Sequence, residues 1–308
     1  IPLRLVGSEM CIRDSLTIDE NTFLSGKFES NGNYEIKLES SFVNFKDIYA
    51  TNLNVDFNNK SGFIELEEIN SKLISGKDFK LFTEFIDDSL KVKSSYKSFK
   101  DDLNKISFSH TIDSKNKSVI SFNEMELTIN NQKWFIDKNI ETVVPVFSFF
   151  RDKKDFSLIN ANFVSGKQNL NMNISEDSKN SNYFLNFKNV RLENITSSKN
   201  KIFLQALVNG KVELIKNNDE YMGNSSLKLA NLKANSNLLG SANLNINASN
   251  DLKSFIMSFN IIKEFEKTLD LNGKFSIEEN FYPIDMELNM SNFDTVSYTH
   301  LTLPTIYS

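Results

Sequence analysis

Alternation constrains this chain more than any other feature. In residues 170–187, Leu170, Met172 and Ile174 are separated by Asn171 and Asn173, and further on Tyr183, Leu185 and Phe187 bracket Phe184 and Asn186. Side chains on an extended strand point to opposite faces in turn, so each run presents one almost wholly apolar face. The polar stretch 175–182, SEDSKNSN, suits a hairpin connection between them. The same unit recurs at Ile36 and Leu38, at Leu53, Val55 and Phe57, at Leu90 and Val92, and at Met125 and Leu127. It continues through Leu227 and Leu229, Leu244 and Ile246, Phe275 and Ile277, and Met286 and Leu288.

Counted along the chain this predicts roughly twenty strands. Short polar turns between runs make the pairing mainly antiparallel. The expected fold is therefore all-β: a long curled sheet forming an elongated groove with an apolar inner face. Its lining is read as Leu170, Met172, Ile174, Leu185, Phe187, Leu227, Leu229, Leu244, Ile246, Phe275, Ile277, Met286 and Leu288. Residues 78–88 fit a helical face nearly as well as a strand, and residues 262–267 allow one helical turn. An apolar-x-Gly-Lys-apolar core repeats around Gly26, Gly210 and Gly273, where glycine suits a bulge or a bend.

The two ends read differently. Residues 10–14, MCIRD, can be encoded ATG TGT ATA AGA GAC, whose reverse complement encodes residues 296–300, VSYTH. In-frame reverse complements at opposite ends resemble one synthetic oligonucleotide read from both sides, like the transposon end used in sequencing libraries. Residues 1–15 and 296–308 are therefore read as adaptor-derived, leaving 16–295 as a single elongated element. The ends hold Arg4 and Arg13 against Glu9 and Asp14, so the net charge of −5 is unaltered by setting them aside. A mildly acidic chain without a basic stripe argues against nucleic acid as a partner.

Chemistry is sparse. The single cysteine, Cys11, and one of two histidines, His300, fall in the ends, which leaves His110. It alternates with Phe108 and Ile112, placing it on the apolar face, with no second histidine or cysteine to complete a metal site or a triad. The acidic pairs Glu67-Glu68, Asp87-Asp88 and Asp101-Asp102 are read as charges near strand ends. No phosphate-binding glycine motif occurs. The expectation is a protein that is not an enzyme and takes no cofactor or metal.

Residues 126–139, with Trp134, Ile136 and Asn139, are followed by Asn169-Leu170-Asn171 and by a Leu-x-Phe-x-Asn-Val-x-Leu strand from Leu185 to Leu192. With the Leu238-Leu239-Gly240 step and the strand through Leu244 and Ile246, this resembles the C-terminal half of the TamB family of AsmA-like envelope proteins. The resemblance implies a tapering β-groove, or β-taco, crossing the periplasm. It also implies a role in phospholipid movement between two membranes and in outer-membrane biogenesis. The family's N-terminal inner-membrane anchor is not in this sequence. Nor is the extreme C-terminus through which it would engage the outer-membrane barrel TamA. Two other readings compete: a structural or adhesive β-sandwich or β-solenoid with its interior filled by its own side chains, and an outer-membrane barrel. A barrel would carry aromatic girdles of Trp and Tyr, and one Trp beside 27 Phe disfavours it.

Overall fold

A computed structural model describes residues 16–71, 75–137, 144–151, 153–195, 203–218, 220–235, 237–250, 253–276 and 283–291. Strands take up 78% of these and helix 1%, so the chain is all-β. It divides into two compact units, the first holding the chain up to Arg151 except residues 129–132, which join the second at the start of β10 (Gln132–Ile136).

In the first unit, β1 (Leu16–Ile18) and β2 (Phe23–Phe28) both pair with β3 (Tyr34–Phe45). From there β4 (Ile48–Asn58), β5 (Ser61–Asn70), β6 (Ser75–Ile86), β7 (Ser89–Lys97), β8 (Leu103–Ile112) and β9 (Ser118–Ile129) each pair antiparallel with the strand before. β11 (Val146–Phe149) then adds to β9. In the second unit each strand pairs antiparallel with the one before it. It runs through β12 (Phe156–Ser165), β13 (Gln168–Glu176), β14 (Asn180–Arg191), β15 (Leu204–Asn217), β16 (Glu220–Ala234), β17 (Asn237–Ala248), β18 (Ser254–Lys263), β19 (Glu266–Ser276) and β20 (Ile284–Met290). One four-residue helix, α1 (Leu192–Ile195), follows β14.

One open alternative is settled and two local expectations are corrected. The segment 78–88 is strand β6 followed by a turn, because Phe79, Leu81, Thr83 and Phe85 continue the face set by Leu66, Ile64 and Gly62 on β5. Residues 262–267 are strand ends joined by a turn at Glu264 and Phe265, whose φ values of 52° and 68° match the hairpin turns that need two left-handed residues. The strand expected to run to Leu192 stops at Arg191, and Leu192 opens α1. Of the acidic pairs, Asp87 and Asp88 form the left-handed turn between β6 and β7, whereas Glu67 and Glu68 lie inside β5.

Turns and bulges draw on asparagine and aspartate. Among the described non-glycine residues with positive φ, nine are Asn and four are Asp. Their short polar side chains tolerate a left-handed backbone better than other L-residues do. Four of them sit in bulges: Asp78 in β6 and three asparagines. Asn160 interrupts β12, Asn189 interrupts β14 and Asn231 interrupts β16. A bulge leaves backbone groups unpaired, and asparagine on the next strand supplies an acceptor: the Asn160 N–H donates to Asn173 Oδ1 at 2.8 Å and the Asn189 N–H to Asn209 Oδ1 at 2.9 Å.

Aspartate caps other turns. Backbone N–H groups of Lys117 and then Lys115 hold the Asp113 carboxyl below its ordinary value, and those of Lys179 and Asn180 do the same for Asp177. Each carboxylate is therefore more acidic folded than unfolded. Its stabilising contribution is present above the ordinary aspartate value of the unfolded chain and is lost as pH falls through the lower folded one. The urea midpoint should hold level from neutral pH and drop below about pH 4. A D113A/D177A variant should start lower and show a shallower acid decline; an equally steep decline would discount these caps.

Candidate functional site

The register of the second unit settles which side chains share a face, because directly paired residues on neighbouring strands point the same way. One row across β12 to β20 is Ala161, Met172, Leu185, Val212, Ser225, Ile246, Met257, Gly273 and Met286. Two residues along each strand lies a second row: Phe163, Leu170, Phe187, Gly210, Leu227, Leu244, Phe259, Leu271 and Leu288. A third runs from Leu158, Ile174, Tyr183 and Leu214 to Gly223, Ala248, Phe255, Phe275 and Ile284. No position in the three rows carries a charge, and only Ser225 and Tyr183 are polar.

Eleven of the thirteen lining residues read from the sequence lie in these rows: Leu170, Met172, Ile174, Leu185, Phe187, Leu227, Leu244, Ile246, Phe275, Met286 and Leu288. Leu229, paired with Val208 and Ala242, sits one step further along the same face. Ile277 lies outside the described residues. Most are half-buried, and Leu288 is 51% exposed. At ~4.8 Å per strand and ~3.4 Å per residue the three rows cover about 38 Å by about 14 Å, or roughly 500 Å². That is in the upper range of the largest apolar patches on soluble monomers.

The face is not uniform along the strands. Beyond Leu229 it becomes a packed core in which Ala206, Leu232, Ala242 and Ile261 are 1–5% exposed, flanked by Leu239, Phe259, Leu269 and Leu192 of α1. Val190, paired with Val208, is fully buried nearby. Leu192 packs here because α1 turns the chain over the end of the sheet. Buried Gln168 anchors it: its Oε1 accepts the Arg191 N–H at 2.8 Å and the Asn194 Nδ2 at 3.4 Å. At the opposite end, Phe255 and Phe275 stack at 4.8 Å, and the Tyr183 hydroxyl donates to Glu176. That bond, more than burial, raises the phenol above its ordinary value.

The reverse face carries a polar row, beside scattered apolar residues such as Phe184, Ile215, Met222 and Ile256. That row is Asn171, Asn186, Lys211, Ser226, Asn245, Ser258, Asn272 and Glu287, and Asn243 Nδ2 donates to Asn260 Oδ1 across β17 and β18 at 2.9 Å.

Glycines enter the apolar rows at close approaches. At Gly210, φ is +129° and a Cβ would stand 2.1 Å from the Ser226 carbonyl oxygen. Only glycine relieves both constraints. G210V should cost about 3 kcal/mol or more, from backbone strain and overpacking together. Urea unfolding would check this, and a loss under about 1 kcal/mol would show that the strands separate there without cost.

In the first unit His110 is half-buried and paired with Leu90 and Ile120, alongside Phe108, whose ring packs edge-on against Phe122 at 6.1 Å. It therefore lies on that unit's apolar face. Among the described residues there is no group of three or more His, Cys, Asp or Glu able to hold a metal ion, and no helix long and apolar enough to cross a membrane.

No family model, curated protein or solved structure matches the chain.

The α1 end and the asparagine bulges were not read from the sequence. The bulges leave a trace, an Asn breaking the alternation with a second Asn one strand away. The helix leaves none, since LENI prolongs the preceding strand pattern.

Proposed function

We propose that this chain is a segment of a TamB-like envelope protein whose apolar sheet face carries phospholipid acyl chains across the periplasm between inner and outer membranes, in support of outer-membrane biogenesis. The observation that carries this is the set of three uncharged rows running across nine successive strands. Such rows run perpendicular to the strands. A hydrocarbon chain of about 15 Å, half a bilayer core, would lie over about three strand spacings of ~4.8 Å. With each methylene worth ~0.8 kcal/mol out of water, a continuous apolar path is what lowers the cost of passage. The face needs no catalytic group, and the protein is read as a non-enzyme. The parent would be anchored in the inner membrane by an N-terminal helix and would meet a TamA-like barrel through regions outside this sequence.

The packed cluster of Ala206, Leu232, Ala242 and Ile261 favours a second reading, an interaction scaffold whose interior is its own core. Mass spectrometry of lipid retained by the purified protein separates the two. Phospholipid retained in stoichiometric amount supports the conduit. A lipid-free protein that takes up none from vesicles would reject it.

A further inference from the structure

Three Asn-Gly dipeptides occur in the chain: Asn31-Gly32, Asn209-Gly210 and Asn272-Gly273. An asparagine side-chain amide is most open to attack by the next backbone nitrogen when glycine follows, because glycine brings no Cβ to hinder the approach. The fold puts the three in different settings. Gly210 pairs with Phe187 on one side and Leu227 on the other, and Gly273 with Met257 and Met286. Both stand inside the sheet, where freeing the glycine N–H and turning the asparagine toward it would part the ladder. Asn209 is held by its side chain as well, since its Oδ1 accepts the Asn189 N–H at 2.9 Å.

Asn31 and Gly32 instead lie in the exposed turn between β2 and β3. The Gly32 N–H donates to the Glu29 carbonyl at 3.0 Å, a bond within the turn itself, so freeing it breaks no strand pairing. Gly32 has a φ of +86°, and a Cβ there would meet nothing within 4 Å, so this backbone turns in open space. The Asn33 N–H donates to Asn31 Oδ1 at 2.9 Å. That bond holds the side-chain carbonyl in place, and a donor so placed stabilises the negative charge that gathers on the oxygen when its carbon is attacked. The leaving nitrogen, Asn31 Nδ2, donates outward to Glu29 Oε2 at 3.3 Å.

We propose that Asn31 is a modification site at which the chain deamidates itself, while the sheet protects Asn209 and Asn272. Solvent base removes the Gly32 N–H proton, and that nitrogen bonds to Asn31 Cγ. The Cγ–Nδ2 bond then breaks, and Nδ2 takes a proton from water and leaves as ammonia. Water opens the resulting succinimide at either carbonyl carbon. Opening at Cγ gives aspartate; opening at the backbone carbonyl gives isoaspartate, whose main chain runs through Cβ and Cγ. Isoaspartate thus adds a carbon to the main chain inside a turn where the Glu29 N–H donates to the Asn33 carbonyl at 2.8 Å and Phe28 pairs with Tyr34. The hairpin end loosens as a result.

The test is peptide mapping of the folded full chain after incubation in warm, mildly alkaline buffer, with electron-transfer fragmentation to tell isoaspartate from aspartate. Asn31 should convert at least about tenfold faster than Asn209 or Asn272, and faster still as pH rises. Both products should appear at residue 31. In urea-unfolded protein the three rates should converge. N31Q, whose longer side chain would have to close a larger ring, should keep the fold and show no comparable conversion. Equal rates at the three sites in folded protein would overturn the proposal, as would aspartate alone at residue 31, the product of direct hydrolysis by water. A tenfold gap that persists in urea would overturn protection by the sheet. Hydrogen exchange of the Glu29 and Gly32 amides should quicken in the isoaspartyl form isolated by ion exchange, and unchanged exchange would overturn the loosening of the hairpin.

Discussion

Arginine at Met172 or Ile246 should lower lipid transfer at least about tenfold, whereas arginine at Asn171 or Asn245 should leave it within about twofold. Met172 and Ile246 lie in the same uncharged row, Met172 between Ala161 and Leu185 and Ile246 between Ser225 and Met257. A guanidinium at either place interrupts that row, and an unpaired charge among hydrocarbon costs several kcal/mol. Both positions are half-buried, so the side chain can tilt its head toward water. That relief is why a tenfold effect is expected and not complete loss. Asn171 and Asn245 lie on the reverse face, Asn245 exposed between Ser226 and Ser258, where a charge remains solvated. The measurement is lipid transfer between vesicles with folding checked by protease resistance. Equal losses from inward and outward arginines in folded protein would remove this face as the working surface.

That experiment rests on facing, the part of the structure most legible in the sequence. A period of two is enough to say that Leu170, Met172 and Ile174 share a face. The hairpin turn at Asp177 and Lys179 then fixes the register that brings Leu185 and Phe187 opposite Met172 and Leu170. Facing also placed His110 on an apolar face, since Leu90 and Ile120 pair with it.

What alternation hid follows from positions where backbone conformation, and not burial, selects the residue. Asn160, Asn189 and Asn231 look like ordinary polar positions, yet each supplies the left-handed backbone of a bulge, the device that bends a strand and strengthens its twist. The helix α1 depends on Gln168, a residue two strands away by pairing order from β15 that nothing local marks.

The sharpest division within the second unit is between side chains that fill space and side chains that only face it, and stability should divide the same way. Ile261 is 3% exposed and packed in the cluster with Ala206, Leu232 and Ala242. I261A should therefore cost about 2–5 kcal/mol, the range for truncating an aliphatic side chain inside a close-packed core. Leu185 and Leu227 are half-buried in the uncharged rows. Removing either loses partial burial and leaves no enclosed cavity, so L185A and L227A should each cost about 1 kcal/mol. Urea unfolding, supported by hydrogen exchange at β14, β16 and β18 so that a local opening is not mistaken for global unfolding, gives the comparison. If L185A and L227A cost as much as I261A in lipid-free protein, the rows are already packed against protein and the filled-interior scaffold becomes the better reading. If they are mild alone but costly once phospholipid is bound, the missing layer over the rows is the lipid itself, because only a ligand that touches those side chains can make their loss depend on its presence.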